Sequence, residues 1–409
     1  MNLKLILPAK IGALLLALAA AGCGGDDPLP VASWTGAWAA TMMEPDQPLF
    51  DFHSQSFSDQ TLRQTAIVTA SGDKVRVRIS NLFGTQPLEL AEVRVAKELT
   101  PSVTTPGTGV SFAGQSSVTI PPAGEAISDG VELEVDPGDR LSVSIYSAKA
   151  SEPATWHPFS FTTSLVAKGN QAASQSLTEA SQVTSYFWLA GVDVESDSTR
   201  RVIVTFGDSI TDGSSSTIDA QKRYSDRLFA RLQEDPETRS CAVVNQGLGG
   251  NRLLRDMIGE SGVSRFERDA LGTPGVTHVI VLLGINDIGM PGFLGPSEQV
   301  TADAMIEGLE LLSEKARSRG VKAFVGTIMP FEAAFPPYYT PEGEVIRQAV
   351  NQWIRENRTF DEVIDFDAAV RDPEQPSKIR AEFDSGDHLH PNDAGHDAMA
   401  GAVPLSLFK

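Results

Sequence analysis

The sequence predicts an α/β protein in which a parallel sheet, covered by helices on both faces, follows an all-β sandwich. In the first half of the chain, short runs of alternating apolar and polar residues are separated by Gly, Pro, Asn and Asp, as in antiparallel sheets. In the second half, near-continuous apolar runs alternate with amphipathic segments, as in parallel sheets. A hydrophobic content of 41% with 21% charged residues is typical of a globular protein.

Residues 1–22 have the pattern of an export signal, and residues 23–33 form a tether rich in small residues. Two lysines precede an apolar stretch that is too short for a comfortable membrane span. The four residues ending at Cys23 resemble the lipobox of bacterial lipoproteins, although Ala20 stands where leucine is usual. We therefore expect an exported lipoprotein, periplasmic or on the cell surface, anchored at Cys23. Ordinary cleavage and secretion is the alternative.

Residues 34–197 are predicted to form the β-sandwich domain. Runs such as "KVRVRISNLFG", "VELEVDPGDRLSVSIYS" and "SYFWLAGVDV" alternate with a period of two residues, and no long segment in this region has a helical period. An antiparallel sandwich is the most economical architecture for such a series of short strands.

Residues 198–409 are predicted to form the second domain, after a polar boundary near residues 196–200. Strands and helices alternate here, beginning with the strand "RVIVTF" and the helix "QKRYSDRLFARLQED". Four further strands follow, "AVVNQG", "VTHVIVLLG", "VKAFVGTIM" and "EVIDF". Two further helices are predicted, one before "VKAFVGTIM" and one before "EVIDF". In such parallel sheets, ligands bind beyond the carboxyl ends of the strands.

Polar residues and glycines follow the strands at this edge. They lie in the segments 207–209, 247–251 and 284–287. Near the C-terminus, Asp387 and His390 are spaced so that one tight turn can bring a carboxylate and an imidazole to the same side. All four segments can therefore meet in one cleft.

The residue types in this cleft are those that acyl transfer needs. A serine hydroxyl such as that of Ser209 becomes a nucleophile when a base removes its proton, and His390 held by Asp387 could act as that base. The tetrahedral intermediate also needs hydrogen-bond donors, and the loss of one typically raises the barrier by ~3 kcal/mol. Suitable donors are the backbone N–H groups of Ser209 and Gly250 and the side-chain amide of Asn286.

Four sequence blocks resemble the successive motifs of the SGNH, or GDSL-type, esterases and lipases, and the resemblance spans roughly residues 201 to 405. The blocks are "GDSIT" at 207–211, "GLGGN" at 247–251, "GIND" at 284–287 and "DHLHPN" at 387–392. The resemblance implies a flavodoxin-like three-layer α/β/α hydrolase fold. It implies no metal and no organic cofactor.

The resemblance also implies a role for each matching residue. Ser209 would be the nucleophile, His390 the general base and acid, and Asp387 its orienting partner. Gly250 and Asn286 would be oxyanion donors, together with the N–H group of Ser209. A Gly-Asp-Ser sequence alone is a common turn, so the order and context of the four blocks carry the assignment. The chain has no GxSxG motif, which argues against the α/β-hydrolase elbow.

Several neighbouring residues have a plainer interpretation beside the functional one. His388 adjoins Asp387 and is interpreted as a bystander or rim residue. Asp384 is a rival to Asp387 as the orienting acid. Asp208 could tune the site or contact substrate, although helix capping is the alternative. Arg252 could contact substrate or form an ion pair.

Two loops are expected to form the pocket walls, "GMPGFLGP" after the third strand and "PFEAAFPPYYTPEG" after the fourth. Their aromatic residues indicate an apolar or sugar-stacking surface, with core packing as the alternative. Together with Asp208 and Arg252, the candidate substrate-binding residues are Phe293 and Tyr338.

Charge and cysteine content limit the partners. A formal charge of -20 disfavours nucleic acid and electrostatic docking to anionic lipid. The two cysteines are Cys23 and Cys241, and the second opens an apolar strand, so we expect a buried inert thiol and no intramolecular disulfide. No CxxC or HExxH motif indicates a metal.

The sequence therefore predicts an extracytoplasmic serine esterase that hydrolyses short-chain acyl esters, for example O-acetyl groups on carbohydrate. A lysophospholipase or short-chain lipase is the alternative enzyme. The alternative without catalysis is a surface glycan-binding lipoprotein whose hydrolase domain is degenerate.

Overall fold

The computed structural model describes residues 33–47, 52–197, 201–356 and 358–409. The leader, Cys23, nearly all of the tether and residues 198–200 of the predicted domain boundary lie outside the described residues, so those assignments stay predictions. The described residues form one compact unit. No helix among them is long and apolar enough to cross a membrane.

The described residues up to 197 form strands and connecting turns. The strands are β1 Ser33–Ala39, β2 Asp46–Gln47, β3 Phe52–His53, β4 Gln60–Ile67, β5 Gly72–Asn81, β6 Leu88–Leu90, β7 Glu92–Thr100, β8 Val103–Thr104, β9 Thr108–Gly109, β10 Val118–Ile120, β11 Gly124–Ile127, β12 Val131–Val135, β13 Arg140–Ser147, β14 Trp156–His157, β15 Ser164–Lys168, β16 Ser181–Val183, β17 Tyr186–Phe187 and β18 Leu189–Ser196. The all-β prediction for this part is confirmed.

Two antiparallel sheets form the sandwich. The order β1-β18-β5-β11, with β12 also on β5, gives one sheet, and β16-β15-β4-β13-β7-β8, with β9 also on β7, gives the other. Alternate residues of β5 are buried, namely Val75, Val77 and Ile79, whereas Arg76 and Arg78 between them are partly exposed. Because of this period of two, each sheet has one apolar face, and the two apolar faces pack against each other.

The second part alternates strands and helices. The strands are β19 Arg201–Gly207, β20 Cys241–Gly247, β21 Val276–Leu282, β22 Lys322–Gly326 and β23 Glu362–Ile364. The helices are α1 Ser209–Asp212, α2 Tyr224–Glu234, α3 Gly262–Asp269, α4 Ile285–Gly289, α5 Pro291–Leu294, α6 Ala302–Ser318, α7 Pro341–Glu356, α8 Phe366–Val370 and α9 Asp393–Ala402, with single 3₁₀ turns at Pro296–Glu298 and Leu405–Phe408.

The five strands form a parallel sheet in the order β20-β19-β21-β22-β23, which is the flavodoxin-like order 2-1-3-4-5. Helices α2, α8 and α9 pack together in one layer, and α3, α6 and α7 pack in another. The predicted three-layer α/β/α class is confirmed. The order reverses at β19, so the cleft beyond its carboxyl end is where a ligand is expected in this topology.

The sandwich covers the edge strand of the parallel sheet. Strand β1 runs beside β20, and the Val243 N–H group donates to Thr69 Oγ1 at 3.2 Å. The Gly36 N–H group donates to the Pro274 carbonyl oxygen at 2.9 Å. Cys241 is buried at the start of β20, and burial raises the pKa of its thiol to about 11, which fits the expected inert cysteine.

A buried arginine on α3 joins the strand ends to the sandwich. The Arg265 guanidinium lies 4.0 Å from the centroid of the Phe206 ring. It donates to the carbonyl oxygens of Gly207, at the end of β19, and Gln246, on β20, at 2.8 and 3.0 Å. It also donates to Thr41 Oγ1 of the sandwich at 3.2 Å. These bonds fix the carboxyl ends of β19 and β20 relative to each other and to the sandwich.

Replacing Arg265 with lysine should lower the free energy of unfolding by about 3–5 kcal/mol, because an ammonium group cannot reach several of these acceptors and would leave them unpaired in the interior. Urea unfolding followed by circular dichroism measures this change. The exposed Arg319→Lys is the matched control and should change stability by less than about 0.5 kcal/mol. An Arg265→Lys protein as stable as the control would contradict the role assigned to Arg265.

Candidate active site

Ser209, His390 and Asp387 lie in one hydrogen-bonded chain at the carboxyl end of β19. Ser209 is the first residue of α1, and its Oγ lies 2.9 Å from His390 Nε2. His390 Nδ1 lies 2.6 Å from Asp387 Oδ2. A carboxylate accepts, so Nδ1 carries the hydrogen and Nε2 is the nitrogen that can accept the serine proton. The arrangement has the geometry of a nucleophile, a base and an orienting acid.

A hydrogen-bonded turn holds Asp387 in its ionised form. Its Oδ1 accepts the backbone N–H groups of Leu389 and His390 at 2.9 and 2.8 Å. Partial burial alone would raise the pKa of Asp387, but the hydrogen bonds and charge of His390 hold it well below its usual range. The Asn392 side chain caps α9 and donates to the Asp384 carbonyl oxygen at 3.0 Å, so the start of the next helix anchors this turn.

The rival acid and the second histidine of this turn pair with each other. Asp384 Oδ2 lies 2.6 Å from His388 Nδ1, and its Oδ1 accepts the His388 N–H group at 3.1 Å. His388 is half-exposed. The structure therefore places Asp387, and not Asp384, on the imidazole that contacts Ser209.

Ser209, Gly250 and Asn286, which carry the three predicted oxyanion donors, all line one pocket. Gly250 has a φ of 73°, and a Cβ there would lie 2.3 Å from Ile258 Cδ1, so both the conformation and the close packing require glycine. The Tyr338 hydroxyl donates to Asn286 Oδ1 at 2.9 Å, which leaves Asn286 Nδ2 as the donor end. Nδ2 donates one hydrogen to the Asn251 carbonyl oxygen at 2.9 Å and carries a second hydrogen.

The loop that carries Gly250 is held at several points. Asn251 Oδ1 accepts from Arg265 Nε at 2.9 Å. Asp287 accepts the N–H groups of Leu253 and Leu254 at 2.6 and 3.0 Å. Because these bonds come from α3 and α4, the position of Gly250 is set by the helices around it as well as by its own loop.

The pocket has a volume of about 570 Å³ and is lined mostly by apolar side chains. The apolar lining residues are Phe52, Phe159, Ile258, Met290, Phe293, Phe335, Tyr338 and Leu389. Two of them, Phe52 and Phe159, come from the sandwich and stack edge to face with their centroids 5.3 Å apart. The sandwich thus forms one wall of the pocket, within the size range of small-molecule sites.

The structure places two of the candidate substrate-binding residues at the pocket and two elsewhere. Phe293 and Tyr338 line it. Asp208 is fully buried, caps α1 by accepting the Ile210 N–H group at 3.0 Å, and is not among the lining residues. Arg252 is also buried and pairs with Glu298 at 2.9 Å. The expected substrate contacts of Asp208 and Arg252 are therefore corrected to a helix cap and an ion pair.

Sequence reasoning missed the contribution of the sandwich. Phe52 and Phe159 gave no signal, because an aromatic residue between short strands is ordinarily core. The buried pair of His157 and Asp212, with Nε2 and Oδ1 3.0 Å apart, was missed as well. Its one sequence signal is an acidic residue three positions after Ser209, on the same short helix.

Two further carboxyl groups lie buried behind the site. Burial, together with the charge of Asp287, raises the pKa of Asp208 to about 7. Burial also raises the pKa of Asp287 to about 6, although its two backbone hydrogen bonds act in the opposite direction. Oδ2 of Asp208 has no hydrogen-bond partner among the described residues. Within those residues, no group of acidic, histidine and cysteine side chains is arranged to hold a metal ion.

One family match covers all four sequence blocks. Residues 205–398 match the GDSL-like Lipase/Acylhydrolase family. A variant of the acetyl xylan esterase Axe2 from Geobacillus stearothermophilus is 23% identical over 50% of this chain and 93% of its own, with a TM-score of 0.40. Est24, a carbohydrate acetylesterase from Sinorhizobium meliloti, is 16% identical over 50% and 96%, with a TM-score of 0.39. No curated protein matches the chain.

The buried carboxyl of Asp208 should make stability depend on pH. Its pKa is 3.8 in a model peptide and about 7 in the fold, so the folded state binds the proton more tightly. Wild-type protein should therefore lose about 1–3 kcal/mol of stability relative to Asp208→Asn as the pH rises from about 4 to about 7. The difference should become constant about one pH unit above the folded pKa, where Asp208 is fully ionised in both states.

Urea unfolding of both proteins across this pH range measures the effect. The exposed Asp136→Asn serves as the control for removal of one negative charge. If Asp208→Asn and Asp136→Asn follow the same pH dependence, Asp208 does not carry a raised pKa.

Proposed function

Since residues 205–398 form a GDSL-like lipase/acylhydrolase domain, an ester hydrolase of the SGNH type, we propose that the protein hydrolyses short-chain acyl esters through a Ser-His-Asp acyl-enzyme mechanism. The observation that supports this proposal most is the continuous chain from Ser209 Oγ through His390 to Asp387, with distances of 2.9 and 2.6 Å. In this chain each group contacts the next one that the mechanism requires.

Acylation begins when Ser209 Oγ attacks the ester carbonyl carbon and transfers its proton to His390 Nε2. Asp387 keeps the other ring hydrogen and stabilises the imidazolium that forms. The carbonyl oxygen becomes an oxyanion and accepts hydrogen bonds from the Ser209 and Gly250 N–H groups and from Asn286 Nδ2. The bond between the carbonyl carbon and the alcohol oxygen then breaks, and the alcohol leaves with the proton from Nε2.

Deacylation repeats the same steps with water. His390 Nε2 takes a proton from the water as its oxygen attacks the acyl carbonyl carbon, and the same three donors stabilise the second oxyanion. The bond from the acyl carbon to Ser209 Oγ breaks, and the proton returns to Oγ. The carboxylic acid leaves, and the serine is regenerated.

The apolar lining of the pocket suits a substrate with an apolar acyl group. Aromatic rings from the sandwich and from the two loops surround the Ser209 hydroxyl, and burial of each methylene is worth about 0.8 kcal/mol. A cavity of about 570 Å³ is larger than an acetyl group needs. We therefore favour butyryl or hexanoyl esters over O-acetyl groups on carbohydrate.

A lysophospholipase or short-chain lipase is the second candidate. Phe293 and Phe335, with their ring centroids 6.1 Å apart, line the pocket and remain 49% and 43% exposed. Exposed aromatic rings next to a reactive centre suit a substrate that carries a hydrocarbon chain. Lysophospholipid and acetylated oligosaccharide are therefore the two comparison substrates.

The proposed location is outside the cytoplasm, with Cys23 as a lipid anchor. The support comes from the sequence alone: a basic start, a short apolar stretch and small residues before Cys23. An exported esterase would meet its substrate in the periplasm or at the cell surface.

Ser209→Ala should lower the rate of p-nitrophenyl butyrate hydrolysis by about a thousandfold or more, because the nucleophile is lost. Labelling by a fluorophosphonate probe, which reacts with an activated serine, should disappear in the same variant. Mass spectrometry of the labelled wild-type protein locates the modified residue.

Ser215→Ala is the matched control, since Ser215 is an exposed serine close to the site. It should keep both the hydrolysis rate and the labelling. Wild-type protein that is folded but remains unlabelled would instead support the non-catalytic glycan-binding alternative.

The acyl preference should follow the pocket. With p-nitrophenyl esters, kcat/KM should rise about two- to fourfold for each added methylene from acetate to hexanoate, until the pocket is filled. Phe159→Ala removes part of the wall and should shift the preference towards longer chains.

Phe161→Ala is the control, because Phe161 lies in the same loop but is not among the lining residues. It should leave the chain-length profile unchanged. A higher kcat/KM for acetylated oligosaccharide than for the butyrate ester would overturn the preference proposed here, and a higher value for lysophospholipid would favour the second candidate.

A further inference from the structure

The ring of His157 contacts only hydrogen-bond acceptors. It lies at the end of β14 and is 4% exposed. Nδ1 is 2.8 Å from the Thr41 carbonyl oxygen. Nε2 is 3.0 Å from Asp212 Oδ1 and 3.2 Å from the Phe159 carbonyl oxygen. A carbonyl or carboxylate oxygen can only accept, so each ring nitrogen must carry a hydrogen, and the ring is an imidazolium.

Asp212 connects this imidazolium to the oxyanion loop, residues 247–251, which includes Gly250. It is the last residue of α1, the helix that begins with Ser209, and it is buried. Its Oδ1 contacts His157, and its Oδ2 accepts the Gly249 N–H group at 3.1 Å. The next residue, Gly250, carries the candidate oxyanion donor. One carboxylate therefore joins the sandwich, the nucleophile helix and the oxyanion loop.

The loop is also packed tightly against these groups. A Cβ at Gly247 would lie 2.2 Å from the Asp212 nitrogen, and a Cβ at Gly249 would lie 3.0 Å from Phe159 Cδ2. The loop therefore packs closely against α1 and Phe159, and we expect a shift of Asp212 to displace Gly249 through their hydrogen bond.

The surrounding charges and hydrogen bonds favour the protonated ring of His157 beside Asp212. Burial alone would lower the pKa of His157, but the charge of Asp212 and the three hydrogen bonds raise it above its usual value. Arg223 and Arg265 also interact electrostatically with Asp212, and the Tyr186 ring lies 6.2 Å from the His157 ring. Positive side chains therefore lie close to the Asp212 side chain, which accepts from the His157 ring.

Building on the proposed esterase function, we propose that His157 is a positioning residue of the active site. As a buried imidazolium supplied by the sandwich, it fixes Asp212 and thereby places the N–H group of Gly250 for the oxyanion. A purely structural pair would contribute to stability alone and would leave the turnover of the folded enzyme unchanged.

The first test is steady-state kinetics of His157→Gln and Asp212→Asn with p-nitrophenyl butyrate. Since the loss of one oxyanion donor lowers kcat by about a hundredfold or more, and small displacements are also costly, we expect kcat to fall about tenfold or more in each variant. KM should stay within about twofold, because the pocket wall remains.

The matched control is His278→Gln. His278 is also 4% exposed, but it lies on β21 towards the amino end of the parallel sheet, away from the pocket. It should retain the wild-type kcat even where it is less stable. A folded His157→Gln protein with kcat within about twofold of the wild type would overturn the proposal.

The second test does not depend on activity. In wild-type protein labelled with ¹⁵N-histidine, both ring nitrogens of His157 should give protonated signals at neutral pH. The signals are assigned by their absence in His157→Gln or, if that variant does not fold, by their shift in Asp212→Asn. A neutral His157 ring would overturn the proposal. Wild-type protein without ester hydrolysis would instead overturn the proposed function, since the ring signals report protonation alone.

Discussion

The active site depends first on the buried guanidinium of Arg265. Its N–H groups donate to the carbonyl oxygens of Gly207 and Gln246, near the carboxyl ends of two neighbouring strands. They also donate to the side chain of Asn251 in the oxyanion loop. Burial lowers the pKa of Arg265 to about 10, while Asp269 on the same helix supports its charge. A buried cation is tolerated only when its donors are satisfied. The strand ends, which carry the reacting groups, supply the acceptors, so the stability of the fold and the geometry of the site rest on one side chain.

The carboxyl groups around the site differ in pKa because they have different hydrogen-bond partners. Asp387 accepts two backbone N–H groups and a histidine ring, and these bonds favour its ionised form despite burial. Asp208 is wholly buried and accepts one N–H group, so burial dominates and its pKa rises. The group on the imidazole therefore keeps the negative charge that orients His390, while Asp208, directly before the nucleophile, can be neutral.

The sequence predicted those strands and helices that have a clear local pattern of apolar residues. The five parallel strands and the helices α2, α6 and α7 follow from apolar runs and amphipathic periods, and the class of the fold is as expected. Short elements such as α3 have too few turns to give a helical period, yet α3 carries Arg265. Contacts between distant segments, such as that of Phe159 with Gly249, leave no pattern in the sequence. Each of these residues alone resembles an ordinary core or loop residue.

The sandwich is part of the enzyme's working structure and not a detachable spacer. It covers the edge of the parallel sheet at β20, donates a hydrogen bond from Thr41 Oγ1 to Gln246 Oε1 at 2.7 Å, and forms the pocket wall with Phe52 and Phe159. A chain that began at residue 201 would expose an unpaired strand edge and leave a buried cation with fewer acceptors. If this truncated chain were inactive, the cause could be unfolding or loss of the pocket, and the two could not be told apart. A single substitution in the wall, such as Phe159→Ala, leaves the rest of the sandwich in place and therefore tests the pocket separately from the fold.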